Sequence, residues 1–109
     1  MSKSDAILQG TLHVLILQIL SLEPMTGWSV SARLRQMSNE TLHVSHGSLY
    51  PSLHKLEQQG WITGEWKESA TGRQVKFYSL TRAGRAHLRK ETDSWARLST
   101  AVNGILGLS

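Results

Sequence analysis

A chain of 109 residues can build one compact domain with its own core but not two ordinary ones. It contains no cysteine, which rules out disulfides and thiolate metal sites and suits a reducing cytoplasm. Twelve Lys and Arg against eight Asp and Glu give a formal net charge of +4 in a chain only 18% charged. That balance favours a polyanionic partner, nucleic acid ahead of an anionic membrane, although plain solubility would produce it too.

The longest apolar run, Leu12 to Leu22, is broken by His13, Gln18 and Ser21, short of the roughly 20 apolar residues of a membrane span. The opening Met1-Ser2-Lys3-Ser4-Asp5 is not strongly basic, and no small-residue cleavage site follows the apolar stretch, so export is not expected. From Ile7 to Leu22 apolar residues recur at helical spacing, with Leu8, Leu12, Leu15, Ile19 and Leu22 on one side and Ile7, Val14 and Leu17 on the other. A helix apolar on two faces needs two surfaces to bury against, its own core and, for the second, a partner subunit. Glu23-Pro24 ends it.

Thr26-Gly27 predicts the capped start of a second helix, with Val30, Leu34 and Met37 on one side and Arg33 and Arg35 on the other, broken at Ser38-Asn39-Glu40. A third helix is expected from about Ser45–Ser48 to Gln59, with Leu49, Leu53 and Leu56 inward, Pro51 in an early turn and Gly60 as the stop. The period then changes to two. Trp61 to Glu68 and Gln74 to Leu80 read as strands around a Ser69-Ala70-Thr71-Gly72 turn. Thr81 can cap a last helix reaching about Leu106.

Three helices, a hairpin and a long helix predict a mainly α fold with a small β-hairpin: a winged helix-turn-helix over residues 1–80 and a C-terminal dimerisation helix over 81–109. In such a fold the third helix can enter a major groove while the hairpin lies along the flanking backbone. The third helix carries Ser48, Tyr50, Ser52, His54 and Lys55, groups able to donate to base edges or phosphates, and Glu57 is the one acid between Thr41 and Gly64. Arg73, Gln74 and Lys76 fall at the hairpin tip and along one strand, and no acid occurs from Arg73 to Lys90. Arg82, Arg85 and Arg89 share a helix face. Such a patch suits a phosphate backbone, whose counterions it would release. A solvated basic surface is the bland alternative.

The last helix carries Leu88, Trp95, Leu98, Val102 and Ile105 at gaps of seven, three, four and three, a coiled-coil-like seam interrupted at Glu91. Pairing with a second copy would bury this seam together with Leu12 on the first helix; folding back on its own domain is the alternative.

Several segments together resemble a known family. They are Gly10-Thr11-Leu12, Leu15-Ile16-Leu17, Thr26-Gly27-Trp28, Gly47-Ser48-Leu49-Tyr50-Pro51-Ser52-Leu53, Leu56-Glu57, Gly60-Trp61-Ile62 and Phe77-Tyr78-Ser79-Leu80-Thr81-Arg82-Ala83-Gly84. In this order and spacing they resemble the PadR-like transcriptional regulators, from about Gly10 to Trp95. The resemblance implies a homodimeric winged-helix factor, usually a repressor, on pseudo-palindromic operator DNA; no cofactor is expected. Ser48, Tyr50, Pro51 and His54 match the family's recognition helix, Arg73 and Lys76 its basic wing, and Leu49, Leu53 and Leu56 its core. In the family the last helix pairs with the first helix of the other subunit, and this chain is similar to the short-tailed branch. Some relatives bind flat aromatic compounds at the dimer centre against a tryptophan of the last helix. Trp95 lies on the corresponding helix and could do the same, although a packing anchor of the seam is the favoured reading. Trp61 and Trp66 are expected to pack against the core or lie at its edge.

Other classes fit less well. The five histidines offer one close pair, His43 and His46, which with Glu40 could hold a metal, though surface histidines are the simpler reading. Glu65 and Glu68 flank Trp66 with no base nearby, so catalysis is not expected. A winged helix used only for protein contacts would not need the basic run from Arg73. A membrane-surface role would leave the last helix's apolar seam poorly used.

Overall fold

A computed structural model describes residues 3–108, with side chains from residue 11 onward. Ile7, Leu8 and Gly10, used above in the first-helix pattern and in the family resemblance, lie outside the described side chains. The elements run α1 (Lys3–Leu20), β1 (Met25–Thr26), α2 (Gly27–Met37), α3 (His46–Gln58), β2 (Ile62–Glu68), β3 (Gln74–Leu80) and α4 (Arg82–Leu106). The expected order is present, with one addition. The two-residue β1 pairs antiparallel with β3, Met25 opposite Tyr78, and makes a three-stranded sheet in the order β1-β3-β2.

Local chemistry sets the helix ends. Thr26, Ser45 and Thr81 are all extended and each accepts the amide of the residue three ahead, on Ser29, Ser48 and Gly84. Val44 and Leu49, flanking the Ser45 cap at the positions of a hydrophobic staple, are both buried. Gly60 ends α3 with φ +79, and the Trp61 amide reaches back to the Leu56 carbonyl at 3.1 Å. Pro51 falls in the second turn of α3, so it has no N–H to give the Gly47 carbonyl four residues back. Gly72, at φ +83, closes the hairpin turn with its amide on Ser69.

The core is one cluster at the centre of the three helices and the sheet. Ile16 and Leu17 from α1, Val30 from α2, Leu49, Leu53 and Leu56 from α3 and Ile62 from β2 are sealed completely, each side chain contributing about 1.5–3 kcal/mol by leaving water. Alternation on the hairpin turns Ile62 of β2 and Tyr78 of β3 inward, and Leu80 packs partly buried against the core. Trp61 also packs against the core. Trp66 does not: it is 63% exposed toward the far end of the hairpin, outside the core cluster.

The first helix departs from expectation. It packs against the chain's own α4, and Leu12 (2% exposed) and Leu88 (8%) are core residues of one protomer. Neither offers the partner surface that the seam pattern assigned to it. Beyond Leu88 no residue of α4 is buried, and the long axis of the protein is 53 Å against 30 and 21 Å. There Trp95, Leu98, Val102 and Ile105 are exposed, from 41% at Val102 to 85% at Ile105.

Candidate nucleic-acid interface

Burial of Leu49, Leu53 and Leu56 fixes the rotation of α3 about its axis, and so decides what faces outward. Tyr50, Pro51 and His54 are exposed. Tyr50 is 43% exposed but not loose. Its ring rests on Gly27 at the start of α2, where an added Cβ would come within 2.9 Å of it, and His46 meets it edge-on at 5.6 Å. The phenol is therefore held where α2 and α3 meet.

Ser48 and Ser52 are less free than the sequence suggests. Ser48 is half-buried, its amide and hydroxyl both engaged with the Ser45 side chain, and the Ser52 hydroxyl donates to the Ser48 carbonyl at 3.1 Å. Lys55 is exposed, but it lines the groove beneath α1 and α4, on a different side of α3 from Tyr50.

On the wing, Arg73 stands at the tip with its amide on the Ser69 hydroxyl, exposed, and among the described residues no carboxylate pairs with its guanidinium. Gln74 is exposed beside it. Lys76 turns the other way: its ammonium sits 3.1 Å from Glu57 Oε1 on α3 and is no open phosphate contact. The basic run is thus divided. Arg85 and Arg89 belong to a third place, a shallow hollow between α1 and α4 shared with Gln18 and Asp93.

Three side chains near these elements escaped the sequence reading as site residues. Trp28, 67% exposed in the first turn of α2, stands next to the glycine that seats Tyr50; its position straight after a Thr-Gly cap was the available signal. His13 and His87 join Lys55, Trp61, Glu91 and Trp95 around a groove of about 590 Å³ between α1, the end of α3 and α4. Trp61 stacks on His87 with ring centroids 3.6 Å apart, and His87 Nε2 lies 3.7 Å from Glu91 Oε1. Partial burial, then the charges of Lys55 and His87, hold the His13 imidazole below its ordinary pKa. His43 donates to the Glu40 carbonyl while His46 faces Tyr50, so the two turn to different partners. Among the described residues no three His, Asp or Glu side chains gather as a metal set.

The model of the Transcriptional regulator PadR-like family matches residues 16–90, from within α1 to the first turns of α4. A PadR-like transcriptional regulator from Bacillus cereus superposes with a TM-score of 0.80 at 35% identity, over 93% of this chain and 96% of that one. The transcriptional regulator Rv3488 of Mycobacterium tuberculosis is 36% identical over 70 residues, 64% of each chain. The negative transcriptional regulator PadR of Bacillus subtilis is 27% identical over 73 residues, 67% of this chain and 40% of that longer protein.

Proposed function

The chain belongs to the PadR-like family of transcriptional regulators, which are not enzymes, and within it we propose a repressor that binds pseudo-palindromic operator DNA as a homodimer. The observation that carries the reading is the orientation of α3. Its three leucines are sealed in the core, which turns Tyr50, Pro51 and His54 outward as one exposed surface, and the wing tip carries an exposed Arg73 that no carboxylate pairs among the described residues. The third helix enters the major groove, with Tyr50 and His54 reading base edges and Ser48 and Pro51 at the helix entrance. Arg73 and Gln74 follow the phosphates, and Lys55 meets the flanking backbone. Repression then works by occlusion of the promoter. The description of the Bacillus subtilis relative as a negative regulator supports that direction.

Dimerisation is supported by the exposed stripe of Trp95, Leu98, Val102 and Ile105, which leaves residues 81–109 as the pairing helix and would place two readers one helical turn of DNA apart. Among the described residues no helix is long and apolar enough to cross a membrane, and a regulator of this kind works where the chromosome lies, in the cytoplasm. A small aromatic effector is a second reading, favoured by the groove that Trp61 and Trp95 help to wall. No cofactor is part of the proposal.

The test is binding of the full chain to duplex from its own upstream region and to random duplex across a salt series. Tight, specific and steeply salt-dependent binding to the upstream duplex is expected. Equal, weak binding to both would replace the regulator with a module for protein contacts.

A further inference from the structure

We infer that Lys76 is a positioning residue that braces the wing against the recognition helix through Glu57, not a contact to the DNA backbone. The inference rests on the DNA-binding reading above for its consequence, though not for its geometry. In the β2–β3 register Lys76 pairs with Trp66, while Gly64 pairs with Tyr78, so all four lie on the face of the hairpin turned toward α3. The Lys76 stem passes over Gly64 so closely that any Cβ there would strike Lys76 Cε. Its ammonium then reaches Glu57 Oε1 at 3.1 Å, between the rings of Tyr78 (5.3 Å) and Trp66 (5.9 Å). Lys76 and Glu57 side chains are only 26% and 31% exposed, which leaves their pairing less screened than an ion pair on the open surface.

The place of this contact gives it its role. The sealed and buried hydrophobics of the hairpin end at Ile62 and Tyr78; past the pairing of Phe77 with Thr26 of β1, β2 and β3 have no other strand to pair with among the described residues, and an isolated hairpin is marginal in water. Lys76 is in the first inward-facing pair past Tyr78, and Glu57 is in the last turn of α3. The pair therefore ties the free half of the wing to the helix that reads the groove, and so sets the wing's angle to that helix. A lysine already neutralised by a carboxylate has little counterion release to contribute on meeting a phosphate.

Four variants of the full chain test this: Lys76→Met, Gly64→Ala, Arg73→Ala and the charge exchange Glu57→Lys with Lys76→Glu. Gly64→Ala keeps both charges and removes only the slot; Gly64 has no positive φ and the clashing atom is the far end of a flexible stem, so the strand tolerates it. Amide hydrogen exchange of the β2 and β3 backbone is followed on free protein, and the slope of log affinity against log salt on the upstream duplex. Lys76→Met and Gly64→Ala should each speed exchange in the hairpin about fivefold, and the charge exchange should restore most of the protection. Lys76→Met should weaken specific binding about tenfold while leaving the salt slope within about 0.3 of the parent, whereas Arg73→Ala lowers it by about one. Unchanged exchange in Lys76→Met, or a slope lowered by about one as for a phosphate contact, would overturn the brace. If the parent chain shows no salt-dependent DNA binding, the DNA reading fails while the exchange data on free protein still decide the brace.

Discussion

The ring of Tyr50 occupies the space that a side chain on Gly27 would need, with ring atoms 2.9 Å from an ideal Cβ. Recognition helix and preceding helix thus meet through one aromatic ring and one missing methyl group. Gly27→Ala is predicted to displace the ring rather than the helix, because the clash is with the end of a side chain that can turn. Operator affinity should fall about tenfold, as it should in Tyr50→Ala and His54→Ala, with much less change on random duplex and unfolding stability within about 0.5 kcal/mol. Competition binding on both duplexes checks it; equal losses on both would remove Tyr50 from sequence readout.

Arg73 stands exposed at the wing tip, held by the Ser69 hydroxyl through its amide and by no carboxylate among the described residues. Arg73→Ala should weaken binding to every duplex alike and lower the salt slope by about one. Isotherms at several salt concentrations measure this directly, and an unchanged slope would take Arg73 off the phosphates.

Gly84, in the first turn of α4, is pressed against the backbone carbonyl of Trp61, which a Cβ would overlap, with the Leu80 side chain 2.8 Å away. The obstacle here is main chain, already committed to the Thr81 amide at 3.1 Å, so it cannot yield cheaply. Gly84→Ala should cost about 2–4 kcal/mol and lower the melting temperature by roughly 10 °C or more. Gly47→Ala, with only the Ser45 hydroxyl 3.8 Å away, should instead raise stability by about 0.5–1 kcal/mol, from its better helix propensity. Thermal unfolding of the two variants separates close approach from propensity.

Much of this architecture is legible because it is local. The caps at Thr26, Ser45 and Thr81 act on amides three residues ahead, and the leucines of α3 recur at helical spacing, so both sit inside a short window of sequence. What could not be read is long-range. Two residues of β1 have no period of their own and become a strand only by meeting β3. Lys76 looks like one more base of the wing until Glu57, 19 residues earlier, is found beside it. Leu12 was assigned to a partner because the sequence does not reveal that the chain's own core already buries it. Trp66, an aromatic on a strand, is a core residue by type and a surface residue by place.

His13 gives a pH prediction. Burial in the groove, and then Lys55 and His87, lower its pKa from the ordinary 6.5, so the folded state prefers the neutral imidazole. Below pH 6.5 the unfolded chain takes up the proton more readily, and stability is lost as the pH falls toward and through the folded pKa. Denaturant midpoints should therefore be lower at about pH 5.5 than at about pH 7.5, and His13→Gln should reduce the difference. An undiminished difference in the variant would assign the slope to other groups.

The outer half of α4 carries Trp95, Leu98, Val102 and Ile105 on one face, from 41% to 85% exposed, while Leu12 and Leu88 are already inside the protomer. Soluble monomers rarely leave such a continuous stripe in water, so these two sets of residues should fail in different ways. Trp95→Glu places a charge at the inner end of the exposed stripe; it should convert dimer to monomer at micromolar concentration while circular dichroism stays near that of the parent. Leu12→Ala opens a cavity in the core and should cost about 2–5 kcal/mol of folding stability, whatever the association state of the folded protein. Sedimentation velocity and denaturant unfolding of both variants resolve the two effects. A Trp95→Glu protein that still sediments as a dimer would show that pairing uses a surface other than this stripe.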